Sequence, residues 1–255
     1  MISEKDNAEP SSAAPVSTLP PASQIHSAST DDLLRVAGDP ALTEDLALAL
    51  LKRADLPAEV LEQLSKNGNV LKLRKVKVTL VCHPHTPRHV SVPLARQFYS
   101  FDLLKVALSP GVPADVKVAA DEVLIGRLKT VTLGERLSLA RRASGRVAGS
   151  LLLDGETRVM QTALENPRLT EAFVIQAVLR PQASAALIPA VAGHSKWSYR
   201  REIRVALLRT EYLSLARALE FSRGVPPPLL REVLQGSRLP ARIKEQLLRE
   251  CQSGC

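Results

Sequence analysis

From residue 31 onwards the apolar positions recur at the three- and four-residue spacing of a helical face, in short segments. Counting forward from Thr43 they fall at Leu46, Ala47, Leu50 and Leu51; from Thr170 they fall at Phe173, Val174, Ala177 and Val178. Offsets of 3, 4, 7 and 8 place all four side chains on one stripe of an α-helix. Counting back from Asp39, His83 and Asn166, the positions two and three earlier are apolar in every case: Ala37 and Val36, Val81 and Leu80, Leu164 and Ala163. Val76 and Val159 extend the same face by a further turn. A proline follows Asp39, His83 and Asn166, and a threonine comes soon after: Thr43, Thr86 and Thr170. The pattern predicts a helix, a turn that proline cannot continue, and a second helix whose first free amides the threonine hydroxyl receives.

A second punctuation is an apolar residue before proline, at Leu56-Pro57, Val112-Pro113, Val225-Pro226 and Leu239-Pro240. Proline suits the first helical position, where its missing N–H would be unpaired anyway. Apolar residues then follow at Val60 and Leu64, Val116 and Ala120, Leu229 and Val233, Ile243 and Leu247. Thr132 with Glu135 forms a capping box, and Ser144, Asp154 and Ser198 are further candidate caps. Residues 70–82, VLKLRKVKVTLVC, alternate like a strand. Their end obeys the helical offsets before His83-Pro84, and Ile203, Leu207 and Leu208 repeat them before RTEYLS, so helix is the expectation.

Residues 1–30 are dense in Ser, Ala and Pro without a sustained apolar period, which predicts a disordered tail, with Thr30 capping the first helix. Residues 31–250 form the expected folded domain and residues 251–255 a frayed end. Two-helix units repeated at intervals of roughly 25 to 45 residues are what an α-solenoid needs, because one pair cannot bury its apolar face alone. The fold class expected is therefore all-α, a right-handed solenoid of short antiparallel helix pairs.

The turns GDPALT, CHPHTP and ENPRLT, with SPGVP and RTEYLS as weaker copies, carry a resemblance. Through them the chain resembles bacterial α-helical repeat proteins of the HEAT-like kind, and especially the variant leucine-rich repeats. The resemblance implies the solenoid and a binding role, and it leaves the partner open. An iron-sulfur module found in one such protein needs a cysteine cluster, whereas Cys82 stands alone in the first 250 residues.

Composition narrows this picture. Aromatic residues make up only 3%, so the core is built of Leu, Val and Ala, which suits short packed helices. No apolar run approaches the roughly 20 residues of a membrane-spanning helix. The opening MISEKDNAEP does not resemble a secretory signal, and three cysteines, Cys82, Cys251 and Cys255, make no even disulfide framework. A reducing, cytoplasmic location is expected. The formal charge of +8 favours acidic partners, among them acidic proteins, nucleic acid and anionic membrane surfaces.

Several clusters are candidates for chemistry. Cys82, His83, His85 and His89 in CHPHTPRH have the donor types of a zinc or copper site, but His83 occupies the turn slot of Asp39 and Asn166 and Cys82 reads as a small buried residue. No metal or other cofactor is expected. CQSGC at the end does not match a prenylation box. HSKWSYRREIR gathers Lys196, Trp197, Tyr199, Arg200, Arg201 and Arg204, and RRASGR adds Arg141, Arg142 and Arg146. Aromatics interleaved with arginine can stack on bases while guanidinium groups hold phosphates; alternatively Trp197 and Tyr199 staple a turn and the arginines are solvated.

No phosphate loop, nucleophile elbow, zinc-protease helix or carboxylate pair beside histidine occurs. Asp121, Glu122 and Asp154 are the acids a helical-repeat glycosylase would use, yet isolated helix acids are ordinarily solvent-facing or capping. The sequence thus predicts a non-enzymatic scaffold that binds a protein partner, with a nucleic-acid-binding module as the rival. Oligomeric state is left open. The assigned register makes a prediction: Leu164→Asp should destabilise by more than about 2 kcal/mol in urea unfolding, because a core contact is lost and a charge buried. Arg201→Ala should leave the unfolding midpoint unchanged.

Overall fold

A computed structural model describes residues 29–253. The expected tail, for residues 1–28, and the last two residues of the expected frayed end lie outside the described residues. Among the described residues there are seventeen α-helices and no strand, as an all-α reading requires. The chain divides into two compact units between Leu94 and Ala95.

The first unit holds α1 (Thr30–Gly38), α2 (Glu44–Leu51), α3 (Ala58–Lys66), α4 (Gly68–Leu71), α5 (Arg74–Cys82) and most of α6 (Arg88–Ala95). Helix α1 packs on α3, and α2 on α5. Their apolar stripes meet in one core that includes Leu33, Val36, Leu50, Leu56, Leu64, Val76 and Leu80. The ambiguous segment 70–82 is helical, as its end offsets require, but α4 and α5 are separate helices broken at Lys72 and Leu73.

The second unit begins with α7 (Ser100–Leu108), α8 (Ala114–Arg127), α9 (Leu133–Arg142), α10 (Gly145–Leu151) and α11 (Thr157–Leu164). It continues through α12 (Glu171–Leu179), α13 (Leu187–Gly193), α14 (Arg201–Leu207), α15 (Leu215–Ser222), α16 (Pro227–Gln235) and α17 (Ala241–Ser253). Alternate helices are neighbours: α8, α10, α12 and α14 make one row, and α9, α11 and α13 another. Close approach of α10 to α12 requires glycine. A Cβ on Gly145 would collide with the Arg168 carbonyl oxygen, and one on Gly149 would lie 2.9 Å from Phe173 Cβ.

Side chains at the helix ends tie these rows together. Asn67, just after α3, accepts from the Asn69 amide at 3.2 Å and donates to the carbonyls of Ala37 and Asp39 at 3.1 and 2.8 Å, which closes the end of α1. His83 repeats the arrangement after α5: Nδ1 accepts from the His85 amide at 3.2 Å, so Nε2 carries the proton and donates to the Arg53 carbonyl at 2.8 Å. In the second unit Asn166 accepts from the Arg168 amide at 2.7 Å and donates to Ala140 and Ala143 at 2.7 and 3.2 Å. Ser237 accepts from Leu239 at 3.0 Å and donates to Leu208 at 2.7 Å. The Trp197 indole donates to Leu164 at 3.0 Å, and Arg127 donates to Phe98 at 2.6 Å. Carbonyls left open at a helix C-terminus are thus satisfied from a turn 23–33 residues later. Asp39 makes only the local half, accepting from Ala41 at 2.7 Å, as a carboxylate without a proton must.

Several caps differ from expectation. Ser29, not Thr30, caps α1, since its hydroxyl accepts from Asp32. Thr43, Thr132 and Ser144 cap as expected, and the Thr132–Glu135 box is complete. Thr170 occupies the N-cap position without a side-chain bond, and Thr86 turns back to donate to the Leu80 carbonyl at 2.5 Å. Glu156 and Arg200, not Asp154 and Ser198, stand at the N-caps of α11 and α14. Pro57, Pro113 and Pro226 occupy the N-cap position, not the first helical one, and Pro240 likewise precedes α17. Proline fixes φ but not ψ; at Pro57 φ is −62° and ψ is 149°, so the residue is extended while its carbonyl already accepts from Leu61.

Two measurements follow. Asn166→Ala should lower unfolding stability by about 3 kcal/mol, because two buried carbonyls lose their donor. Burial holds the His83 imidazole below its ordinary pKa of 6.5, outweighing the Arg53 carbonyl, while His85 adds to the depression. The unfolded chain therefore takes up the proton first, and stability present above pH 6.5 is lost as pH falls through the folded-state pKa. His83→Asn, which keeps an acceptor and a donor at the turn, should flatten the fall of the thermal midpoint between pH 7 and about pH 5.

Candidate functional site

Three successive turns of the second unit are joined by these bonds, and they bring the two basic sequence clusters to one edge. The turn after α11 reaches back to the end of α9 through Asn166, and Arg168 Nη1 donates to the Arg142 carbonyl at 3.1 Å. The turn after α13 reaches back to the end of α11 through Trp197, and through His194, whose Nε2 lies 3.1 Å from the Glu165 carboxylate. Arg141 and Arg142, then Arg168, then Lys196, Arg200 and Arg201 therefore stand on consecutive rungs.

Burial sorts these residues. Trp197 is only 2% exposed, so it has no face to offer a base or a peptide and leaves the candidate set. Lys196 lies over its indole, 4.1 Å from the ring centroid, where cation and ring quadrupole attract. Arg204 is also engaged internally: Nε donates to the Ser198 carbonyl at 2.6 Å, and the guanidinium is 5.2 Å from the Phe221 ring centroid. Tyr199 is 75% exposed, beside exposed Arg200 and Arg201. Arg146 points elsewhere, pairing with Glu122 at 3.2 Å, and lines a different cleft with Phe173 and Arg180.

Arg141 and Arg142 meet a residue the sequence reading did not select. With Arg158 and Thr162 of α11 and Leu137 and Ser138 of α9, they line a cleft of about 350 Å³. No carboxylate lines it. Arg141 and Arg142 suit the negative end of the α9 dipole, but Arg158 lies in the first turn of α11, where the dipole is positive, and Glu156 at the N-cap is the acid beside it. That unfavourable placement was the signal available in the sequence. Phe101, 43% exposed, lies beside the cleft with its ring centroid 6.0 Å from the Arg142 guanidinium.

Candidate acids and metal ligands have structural partners. Asp154 accepts twice from Arg136 Nη1, at 2.7 and 2.8 Å. Asp121 is buried; its Oδ2 accepts from Ser144 Oγ at 2.8 Å, and its Oδ1 has no hydrogen-bond partner. Burial pushes this carboxyl above the usual range, with Ser144 and Arg146 pulling the other way. Its visible task is to hold the serine that caps α10. In CHPHTPRH, His83 is committed to the turn, His85 Nδ1 lies 3.0 Å from the Leu56 carbonyl, and His89 lies 3.8 Å from Glu62. Among the described residues no group of three or more His, Cys, Asp or Glu is placed to hold a metal. Cys251 is a free thiol on α17; Cys255 lies outside the described residues. None of the described helices is long and apolar enough to cross a membrane. No protein-family model matches the chain, and no match is found among curated proteins or solved structures.

Proposed function

We propose that the chain is a non-enzymatic, cytoplasmic helical-repeat scaffold that binds an acidic protein partner through the arginine-bearing turns of its second unit. In this reading the helix rows belong to a right-handed α-solenoid of the HEAT-like or variant leucine-rich-repeat kind. The observation that carries it is the cleft between α9 and α11, where Arg141, Arg142 and Arg158 converge without a carboxylate among the lining residues. Uncompensated guanidinium groups on a rigid, hydrogen-bonded edge are suited to carboxylate or phosphate recognition. The non-enzymatic part is supported by the engagement of Asp121, Glu122 and Asp154 in caps and ion pairs.

A nucleic-acid partner is the alternative that the positive charge keeps open, but Trp197 is withdrawn and Tyr199 is the exposed aromatic of that cluster. Affinity capture with the full chain tests the proposal against the charge-reversed double variant Arg141→Glu/Arg142→Glu. Reversal should cut recovery of the specific protein partner by about tenfold or more, since like charges across an interface are costly, while the fold is kept with a thermal midpoint lowered by only a few degrees, the effect of two acids at the C-terminal end of α9. Recovery unaffected by reversal refutes the assigned edge. Tight binding of duplex or single-stranded nucleic acid, falling linearly in log–log plots against salt, would put the alternative in its place.

A further inference from the structure

The scaffold reading leaves open what chemistry the partner presents. We propose that the cleft between α9 and α11 binds a phosphomonoester dianion carried on a side chain of the protein partner; this rests on the partner being a protein. Arg141, Arg142 and Arg158 line one compact space of about 350 Å³, and none of them has an ion-pair partner among the described residues. One carboxylate would neutralise one of them. A phosphomonoester brings about −1.5 to −2 charges and three acceptor oxygens to a single point, which matches a convergent set of planar forks.

The walls of the cleft are held in place by local bonds. Thr162 Oγ1 donates to the Arg158 carbonyl at 2.7 Å and so fixes the first turns of α11. Ser138 lines the opposite wall from α9. Arg168 donates to the Arg142 carbonyl, which anchors the backbone from which Arg142 extends. Arg158 adds a third cation to the cleft from the first turn of α11, where the helix dipole opposes it and a bound anion would relieve that opposition. The exposed Phe101 ring beside Arg142 supplies an apolar contact for a residue flanking the phosphate, which favours a peptide over the free ion.

Calorimetric titration of the full chain tests this with four probes: inorganic phosphate, a phosphoserine peptide bearing an apolar neighbour, its unphosphorylated twin, and a 5′-phosphorylated oligonucleotide. The phosphopeptide should bind at one site per chain, at least about tenfold more tightly than the twin and than inorganic phosphate. Arg158→Gln and Arg141→Gln should each weaken it by about ten- to a hundredfold, and Arg158→Lys by less, since the charge remains but the fork is lost. Arg146→Gln, in the other cleft, should leave it unchanged. Equal binding of peptide and twin, indifference to Arg158→Gln, or tighter binding of the oligonucleotide each overturns the proposal. Capture of a protein partner that persists after phosphatase treatment would remove this site and leave the scaffold reading standing. Specific phosphopeptide binding without any protein partner would do the reverse.

Discussion

The fold depends on helix ends that do not satisfy their own carbonyls. A helix of eight or nine residues exposes nearly half of its carbonyl groups at its C-terminus, and in a chain of such helices the deficit recurs at every turn. Here the deficit is met by a side chain with two faces. Asn67, His83, Asn166 and Ser237 each accept from an amide two residues ahead and donate to a carbonyl in an earlier turn. One bond shapes the turn; the other attaches it to its predecessor. Because the donors are buried, losing one costs more than forming it contributes.

This constraint explains the residue choice at the proline turns. Asparagine and neutral histidine each offer an acceptor and a donor on opposite sides of a small planar group, and serine does so on a single oxygen. Aspartate can only accept, and Asp39 stands at the end of α1, where it makes the local bond alone. The same need accounts for His83 and His85 of CHPHTPRH: part of a soft-ligand motif in the sequence becomes a backbone clamp in three dimensions, with burial keeping His83 neutral enough to serve.

Stacked turns also decide which basic residues are available. Lys196 and Arg204 are drawn onto aromatic rings and Arg146 onto Glu122, so much of the positive charge seen in the sequence is engaged internally. Arg141, Arg142 and Arg158, which α9 and α11 bring together, have no carboxylate among the residues lining their cleft. Arg158 enters it from a helix start twelve residues beyond Arg146, the end of the RRASGR cluster, and only helix packing makes it a neighbour of Arg141 and Arg142.

The chain alone determined the helices, their amphipathic faces and the places where they stop, since the 3.6-residue period and proline chemistry are local properties. Val76, Val81, Val159, Leu164 and Leu207 are all buried where that period puts them. It settled the strand-like stretch before His83 as helix, although not the break within it. Local rules faltered at the caps: φ of proline is fixed by its ring but ψ is set by the chain around it, and a threonine hydroxyl such as that of Thr86 chooses among several nearby backbone groups. Tertiary structure decided the fate of Trp197, whose indole proton finds Leu164 thirty-three residues earlier and so turns an apparent stacking residue into an anchor. It also decided the arginine cleft, because pairing of charges depends on which helices pack side by side, and no local spacing encodes that.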